Sequence, residues 1–195
     1  ITDSMKLQNS SITSINNFID NLPGVSVHEG DAFGFDDWST AITVRGFQTN
    51  LAEQQVGSTI DGLPNGNSNY GGGAKANRDI DTANLQTIEV SQGTADISSR
   101  SLEALGGTLN YVTSDPTLDQ RVRLEYVSGQ YDAQRFYARY DSGLIGSSTR
   151  FYVSASHQEA TDWMEGSAQN ERDHLAAKLM TGSDQLRFIA YVSYD

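Results

Sequence analysis

The side chains able to do chemistry are few and scattered. The chain has three histidines, His28, His157 and His174, and no cysteine. A cysteine-based zinc site and a disulfide scaffold are therefore excluded. His157 and His174 fall on different predicted strands and could approach, but unpaired strand histidines are the simpler reading, so no metal site is expected. Asp36-Asp37 lacks the ligand spacing of an EF-hand loop and reads as a solvated acidic turn. Gly71-Gly72-Gly73 is permissive backbone. No Gly-Lys-Ser/Thr follows it, so it is not a phosphate loop. Ser, His and Asp occur without a nucleophile motif around any serine. The expectation is a protein with no catalytic residue and no cofactor, and not an enzyme.

Two loops stand out instead. His28 to Thr40 combines Phe33, Phe35 and Trp38 with Glu29, Asp31, Asp36 and Asp37. Asn65 to Asn77 is polar and Gly-rich, and offers Asn67, Asn69, Tyr70 and Lys75. Aromatic surface with a few polar groups is the usual make-up of a ligand site. The alternative is that both loops cap the fold and the aromatics pack inward.

Bulk properties narrow the class. The 195 residues carry a net charge of −12, which argues against nucleic acid as the partner. Apolar runs stay below the ~18–20 residues of a membrane helix. There is no signal peptide and no initiating Met, so the N-terminus reads as mature or cut from a longer chain. The two parts of the chain differ. Residues 1–120 hold 15 acidic and 5 basic side chains, whereas residues 121–195 hold 10 and 8. The last 75 residues also contain 11 of the 18 aromatics. Two regions facing different solvents would give this shift.

The elements that must position the loops follow from periodicity and punctuation. Ile12, Ile15, Phe18 and Ile19 form a helical stripe over residues 11–21, capped by Ser10 or Ser11 and ended by Leu22-Pro23-Gly24. Val25 to Val27 is a brief strand. Ala41 to Phe47 is a strand with Gly46 at its end, and Val56 to Ile60 is another, running into the turn Asp61-Gly62-Leu63-Pro64. A helical turn falls within residues 79–86. Strands follow at Thr87 to Val90 and Thr108 to Thr113.

From Arg121 onward, five segments alternate with period two. Val122, Leu124 and Tyr126 oppose Arg123 and Glu125. Phe136, Ala138 and Tyr140 oppose Arg135, Tyr137 and Arg139. Phe151, Val153 and Ala155 oppose Arg150, Tyr152 and Ser154. Leu175, Ala177 and Leu179 oppose Ala176, Lys178 and Met180, and Leu186, Phe188, Ala190 and Val192 oppose Arg187, Ile189 and Tyr191. Segments of about 8–12 residues can cross a bilayer as tilted strands. Short turns at Leu144 to Ser147 and Thr181 to Asp184 alternate with a longer loop at Thr161 to Asn170, as in an outer-membrane barrel. Periodicity alone favours a soluble antiparallel sheet with one wet face, the commoner kind, whereas arginine repeated on one face and aromatics near the strand ends favour the barrel. Five strands cannot close even the smallest eight-stranded barrel, so the chain is either a soluble sheet or part of a larger barrel.

The order of motifs in residues 12–116 resembles the plug of a TonB-dependent outer-membrane receptor. The matching pieces are Leu22-Pro23-Gly24-Val25, Thr43-Val44-Arg45-Gly46-Phe47, Ile60-Asp61-Gly62-Leu63-Pro64 and Ile88-Glu89-Val90-Ser91-Gln92-Gly93. Gly106-Gly107-Thr108-Leu109-Asn110-Tyr111-Val112-Thr113-Ser114-Asp115-Pro116 completes the series. Each is weak alone; five in order are specific. Two positions depart from the family pattern, Thr87 and Gln92-Gly93-Thr94, where the family has arginine before IEV and Arg-Gly-Pro after it.

The resemblance implies an α+β plug domain over residues 1–118. The antiparallel strands of residues 119–195 are then about the first five of a transmembrane β-barrel of roughly 22 strands, an incomplete fragment of it. It implies a receptor in the bacterial outer membrane that binds a scarce nutrient outside the cell. A ferric siderophore is the commonest family ligand; cobalamin, haem and oligosaccharides are alternatives. Import would draw energy from TonB and its inner-membrane complex. The two loops become the plug apex, with Phe33, Phe35, Trp38, Asn67, Asn69, Tyr70 and Lys75 as ligand contacts. Arg45 keeps a position that in the family pairs with barrel glutamates and locks the plug; Gln92 replaces a second one. Arg123, Arg135, Arg139, Arg150 and Arg187 are expected to face the lumen, where they could meet acidic plug groups. The alternative is a soluble β-rich sugar-binding or adhesion module, whose apolar strand faces would close against each other.

Overall fold

The computed structural model describes residues 13–31, 33–36, 38–50, 52–65, 76–93, 104–161, 168–183 and 185–195. The chain divides into two compact units, residues 1–114 and 115–195.

The first unit is built from short elements. A single 3-10 turn, Asn16–Phe18, stands where a longer helix was expected, and the expected caps Ser10 and Ser11 and the first stripe residue, Ile12, lie outside the described residues. The burial stripe holds, since Ile15 and Ile19 are fully buried. The element is shorter because Asn16 and Asn17 are poor helix formers and Ile15 N–H bonds to the Asn77 side chain instead of a helical carbonyl.

Strand β1 (Val25–His28) pairs antiparallel with β2 (Ala41–Val44), which pairs with β3 (Phe47–Thr49). The single strand expected over Ala41 to Phe47 is thus a hairpin. Arg45 (φ 50°) and Gly46 (φ 90°) form its two-residue loop, the type I′ geometry that matches strand twist. The same device recurs between β4 (Gly57–Ile60) and β5 (Leu63–Pro64), where Asp61 and Gly62 have φ 49° and 77°.

A short helix, α1 (Ala76–Asp79), and a 3-10 turn, Thr82–Asn84, lead into β6 (Leu85–Gln92) and then β7 (Gly107–Thr113). The second sheet runs β5-β4-β7-β6, with β4 and β7 parallel. Gly107 is needed at the start of β7: a Cβ there would strike the Ser91 carbonyl of β6. Ile15, Ile19, Ile42, Val44, Val56, Ile80, Leu85, Leu109 and Tyr111 make the core. Their burial supplies the main driving force for this unit.

The second unit is one antiparallel sheet of β8 (Gln120–Ser128), β9 (Gln134–Ser142), β10 (Arg150–Thr161), β11 (Gln169–Gly182) and β12 (Arg187–Tyr194), in chain order. β8 and β12 are its open edges. Its faces are inverted relative to a soluble sheet. Leu124, Phe136, Val153, Leu175 and Val192 are 46–74% exposed, whereas Arg135, Tyr137, Arg139, Asp141, Tyr152 and Lys178 are buried. Register aligns the apolar positions into rows: Leu124, Ala138, Ala155 and Leu175 lie side by side, as do Val122, Tyr140, Val153, Ala177 and Val192. A soluble module would bury these rows. A barrel wall presents them to lipid.

Candidate functional site

The first candidate loop is organised by two aspartates. Asp31 accepts hydrogen bonds from Phe33 N–H (2.7 Å) and Asp36 N–H (2.6 Å). Asp36 in turn accepts from the amides of Trp38 (2.9 Å) and Ser39 (3.1 Å) and from the Ser39 hydroxyl. These are Asx-type turns, in which a short carboxylate replaces a backbone partner. The Ser39 hydroxyl, helped by the two amides and opposed by slight burial, holds the Asp36 carboxyl below its ordinary range. The acidic pair read as a solvated turn is therefore, at Asp36, the frame of the loop; Asp37 lies outside the described residues.

That frame displays the aromatics. Phe33 and Phe35 are half-buried and meet edge to face, with centroids 6.4 Å apart. Trp38 is 58% exposed. Of the second loop, Asn67, Asn69, Tyr70 and Lys75 lie outside the described residues, as does Gly71-Gly72-Gly73.

The bases of the two loops meet. Asn77, where the second loop ends, accepts from Ile15 N–H (2.8 Å) and donates to Ser14 Oγ (3.2 Å). Ser14 Oγ donates to Glu29 (2.5 Å), at the entry of the first loop, and Asn16 adds a second bond to the same carboxylate oxygen (2.9 Å). A Cβ on Gly34 would come within 2.9 Å of Asn77 Nδ2, so the first loop packs directly on this brace. Ser14, Asn16, Glu29 and Asn77 were not singled out from sequence. Buried Asn and Ser in an otherwise apolar stripe were the available signal, since a buried polar side chain needs partners.

Arg45 lies in the β2–β3 loop and is exposed. Its N–H donates to Gly24 O (2.8 Å) and its Nε to Gln92 Oε1 (3.0 Å). Gln92 Nε2 donates to Pro23 O (2.7 Å). The Leu-Pro-Gly, Val-Arg-Gly and Val-Ser-Gln-Gly segments are thereby tied at one point.

On the polar face of the second sheet, charges are paired rather than free. Arg139 binds Asp141 through Nε (2.9 Å) and Nη2 (2.7 Å), and its guanidinium lies 3.8 Å from the Tyr152 ring centre. Asp115 gathers Lys178 (3.1 Å), Arg187 (3.2 Å) and Arg150 (3.7 Å), while its carbonyl accepts from Arg139 (3.1 Å). Glu125 takes Arg123 and Arg135. The five arginines were expected to meet acidic groups of the plug; the partners found here, Glu125, Asp141 and Asp115, belong instead to the second unit. Asp115 belongs by sequence to the segment 1–118, but it is the first residue of the second compact unit. His157 and His174 do not approach: they sit on opposite faces, with Ser156 opposite His174 and His157 opposite Asp173.

A helix-and-sheet unit with a braced two-loop end, followed by an inside-out sheet, is the arrangement that the motif order implied. The family model of the TonB-dependent receptor plug domain matches residues 1–108. The chain belongs to this family. A search of curated proteins gave no match. Among solved structures, the ferric-catecholate import receptor Fiu from E. coli superposes with a TM-score of 0.71 at 20% identity, covering 99% of this chain and 26% of Fiu. The pyoverdine outer membrane receptor FpvA from Pseudomonas aeruginosa gives 0.70 at 17% identity, with 94% and 25% covered. The ferric yersiniabactin uptake receptor FyuA from Yersinia pestis gives 0.68 at 18%, with 99% and 30%. These likenesses establish the fold: a TonB-dependent receptor plug followed by antiparallel barrel strands. The chain spans about a quarter of the length of these structures.

Proposed function

We propose that the protein is an outer-membrane receptor that binds a ferric siderophore outside the cell and imports it with energy supplied through TonB. The observation that carries this reading is the pairing of a plug-family unit with a sheet whose exposed face is apolar and whose buried face is charged. Such a sheet is stable only with lipid on one side, and a barrel wide enough to hold a folded plug would otherwise be an open pore. The structural neighbours include receptors described as binding pyoverdine and importing ferric catecholate or yersiniabactin, which favours an iron chelate over cobalamin, haem or sugar.

The braced loops form the apex. Phe33, Phe35 and Trp38 supply apolar contact surface, and Asn67, Asn69, Tyr70 and Lys75 supply polar contacts to the chelate. Arg45 is the residue that locks the plug to the barrel. No covalent step is required of any side chain; the work is binding, signalling across the plug and mechanical release.

The test is uptake of 55Fe-siderophore by cells carrying or lacking the gene. Uptake that needs the gene, needs TonB and stops with a protonophore supports the reading. Uptake of cobalamin, haem or a sugar instead would move the ligand and leave the transport mode. Uptake of all four unchanged by deletion would overturn both.

A further inference from the structure

The upper ends of β10 and β11 carry a group of side chains that transport does not use. On the outward face, two successive cross-strand pairs stand above the apolar rows: His157 opposite Asp173, and Glu159 opposite Glu171. His157 Nδ1 lies 2.9 Å from Asp173 Oδ1 and 3.8 Å from Glu171 Oε1. Its other ring nitrogen, Nε2, lies 4.0 Å from Glu159 Oε2. His157, Glu171 and Asp173 can each offer one ligand atom within 4.8 Å of the others.

Three features point to a cation. First, the spacing fits. Ligand atoms 2.0–2.1 Å from a tetrahedral zinc stand about 3.3 Å apart; here the two pairs that include His157 stand at 2.9 and 3.8 Å, and all three ligand atoms lie within 4.8 Å of one another. Second, Glu159 Oε2 stands 4.0 Å from the far imidazole nitrogen, one side-chain adjustment short of the hydrogen bond by which a carboxylate fixes the tautomer of a metal-bound histidine. Third, the charge is uncompensated on these two rungs. The same rungs continue through Phe136 and Gln134 of β9 to Tyr126 and Ser128 of β8, with no lysine or arginine. Directly opposed carboxylates such as Glu159 and Glu171 repel across a sheet.

We propose that His157, Asp173 and Glu171 hold a divalent transition-metal ion, with zinc the best match to one imidazole and two carboxylates, and that Glu159 orients His157 as a positioning residue. The ion staples β10 to β11 on the outward face, above the apolar rows. An imidazole ligand favours zinc, nickel or copper over magnesium and calcium.

The test uses the protein purified in detergent micelles, stripped with a chelator and titrated with zinc chloride by calorimetry. A single zinc is expected to bind. H157Q and D173N should each weaken it by at least the ~10- to 100-fold that loss of a mere outer-shell partner costs. E159Q should weaken binding while keeping the stoichiometry, and E159D should restore it. H28Q, in the first unit, should bind as wild type. Cobalt in place of zinc should give visible bands of nitrogen-oxygen ligation that H157Q lacks. All four side chains are substantially exposed, so circular dichroism of the stripped variants should match wild type. Wild-type protein that takes up no zinc, or H157Q and D173N isotherms that overlay wild type, would overturn the proposal.

Discussion

Arg45 Nε donates to Gln92 Oε1 across 3.0 Å, so the two positions at which the plug family places arginines are here bonded to each other. One keeps its charge and the other has become its acceptor. Gln92 also holds the Pro23 carbonyl, so it braces the turn from which Arg45 projects. Arg45 has a positive φ and its backbone is already committed to Gly24; the side chain is therefore presented from a fixed stem. Gln92 carries no charge, and its amide braces the Arg45 turn instead.

This relationship separates two variants. R45A removes both the charge and the Gln92 contact, whereas Q92A removes only the brace. If Arg45 is the plug–barrel lock, R45A should raise cell permeability to large antibiotics and lower iron uptake several-fold. Q92A should cost about 1–2 kcal/mol of plug stability, the value of two exposed hydrogen bonds, and leave permeability near wild type. Antibiotic sensitivity and 55Fe uptake measured on both strains distinguish the two.

The brace beneath the loops makes a second prediction. N77A leaves the buried Ile15 N–H without its acceptor and frees Ser14 from its donor. An orphaned buried amide costs about 1–3 kcal/mol. Because Ser14 also holds Glu29, the N77A and E29Q costs should not add. A double-mutant cycle by chemical denaturation checks this, with a non-zero coupling expected.

How far the sequence could be read follows the range of the forces involved. The five long strands and the faces of β8 to β11 were legible, because period-two alternation is a local signal; in β12, Arg187 to Ala190 are exposed on both faces. The hairpin at Arg45-Gly46 was not legible, because Arg-Gly lacks the Asn-Gly or Asp-Gly signature of a two-residue hairpin; the two positive φ values reveal the break. Glu29, Ser14 and Asn77 come together over separations of 15 to 63 residues, and nothing local marks such a contact. The partners of His157 were missed for the same reason: they depend on the exact register of β10 against β11.

Trp38 should report ligand. The exposed indole offers the largest apolar contact of the first loop, and an aromatic anchor of a binding surface is worth about 2 kcal/mol or more when truncated. W38A should therefore weaken siderophore binding by ~30-fold. W38F should retain most affinity but lose the quenching of tryptophan fluorescence on binding. Equal quenching in W38F would place the contact elsewhere.

Acidification should loosen the same loop. Asp36 has its carboxyl held below the ordinary 3.8 by the Ser39 hydroxyl and the amides of Ser39 and Trp38. A lowered folded value means the charged form contributes stability in full above the unfolded value, and that contribution is lost as pH falls through the folded one. Loop order, followed by Trp38 fluorescence, should hold from neutral pH down to about 4 and fall below it. D36N should remove the transition and show the loosened signal at all pH values. An unchanged acid transition in D36N would assign it to another carboxylate.

The inverted sheet predicts a face-dependent response to charge. Ala155 lies in the middle of an apolar row, between Ala138 and Leu175. Ser154, one residue earlier, is buried on the charged face with Arg139 and Ala176 as its cross-strand partners. An arginine facing lipid near the bilayer midplane costs about 2–4 kcal/mol, and the cost falls toward the interface. A155R should therefore lower the yield of folded, heat-modifiable receptor in the outer membrane. L175R, in the same row, should do the same. R123 and Arg139 already stand on the other face, so the comparable test there is removal: R139M discards the Asp141 pair and leaves that buried carboxylate short of its cation. Its cost should be about 3–5 kcal/mol, and D141N in the same chain should recover part of it. In a soluble sheet the order would reverse. A155R would be a harmless surface change, and solubility without detergent would rise with each such substitution.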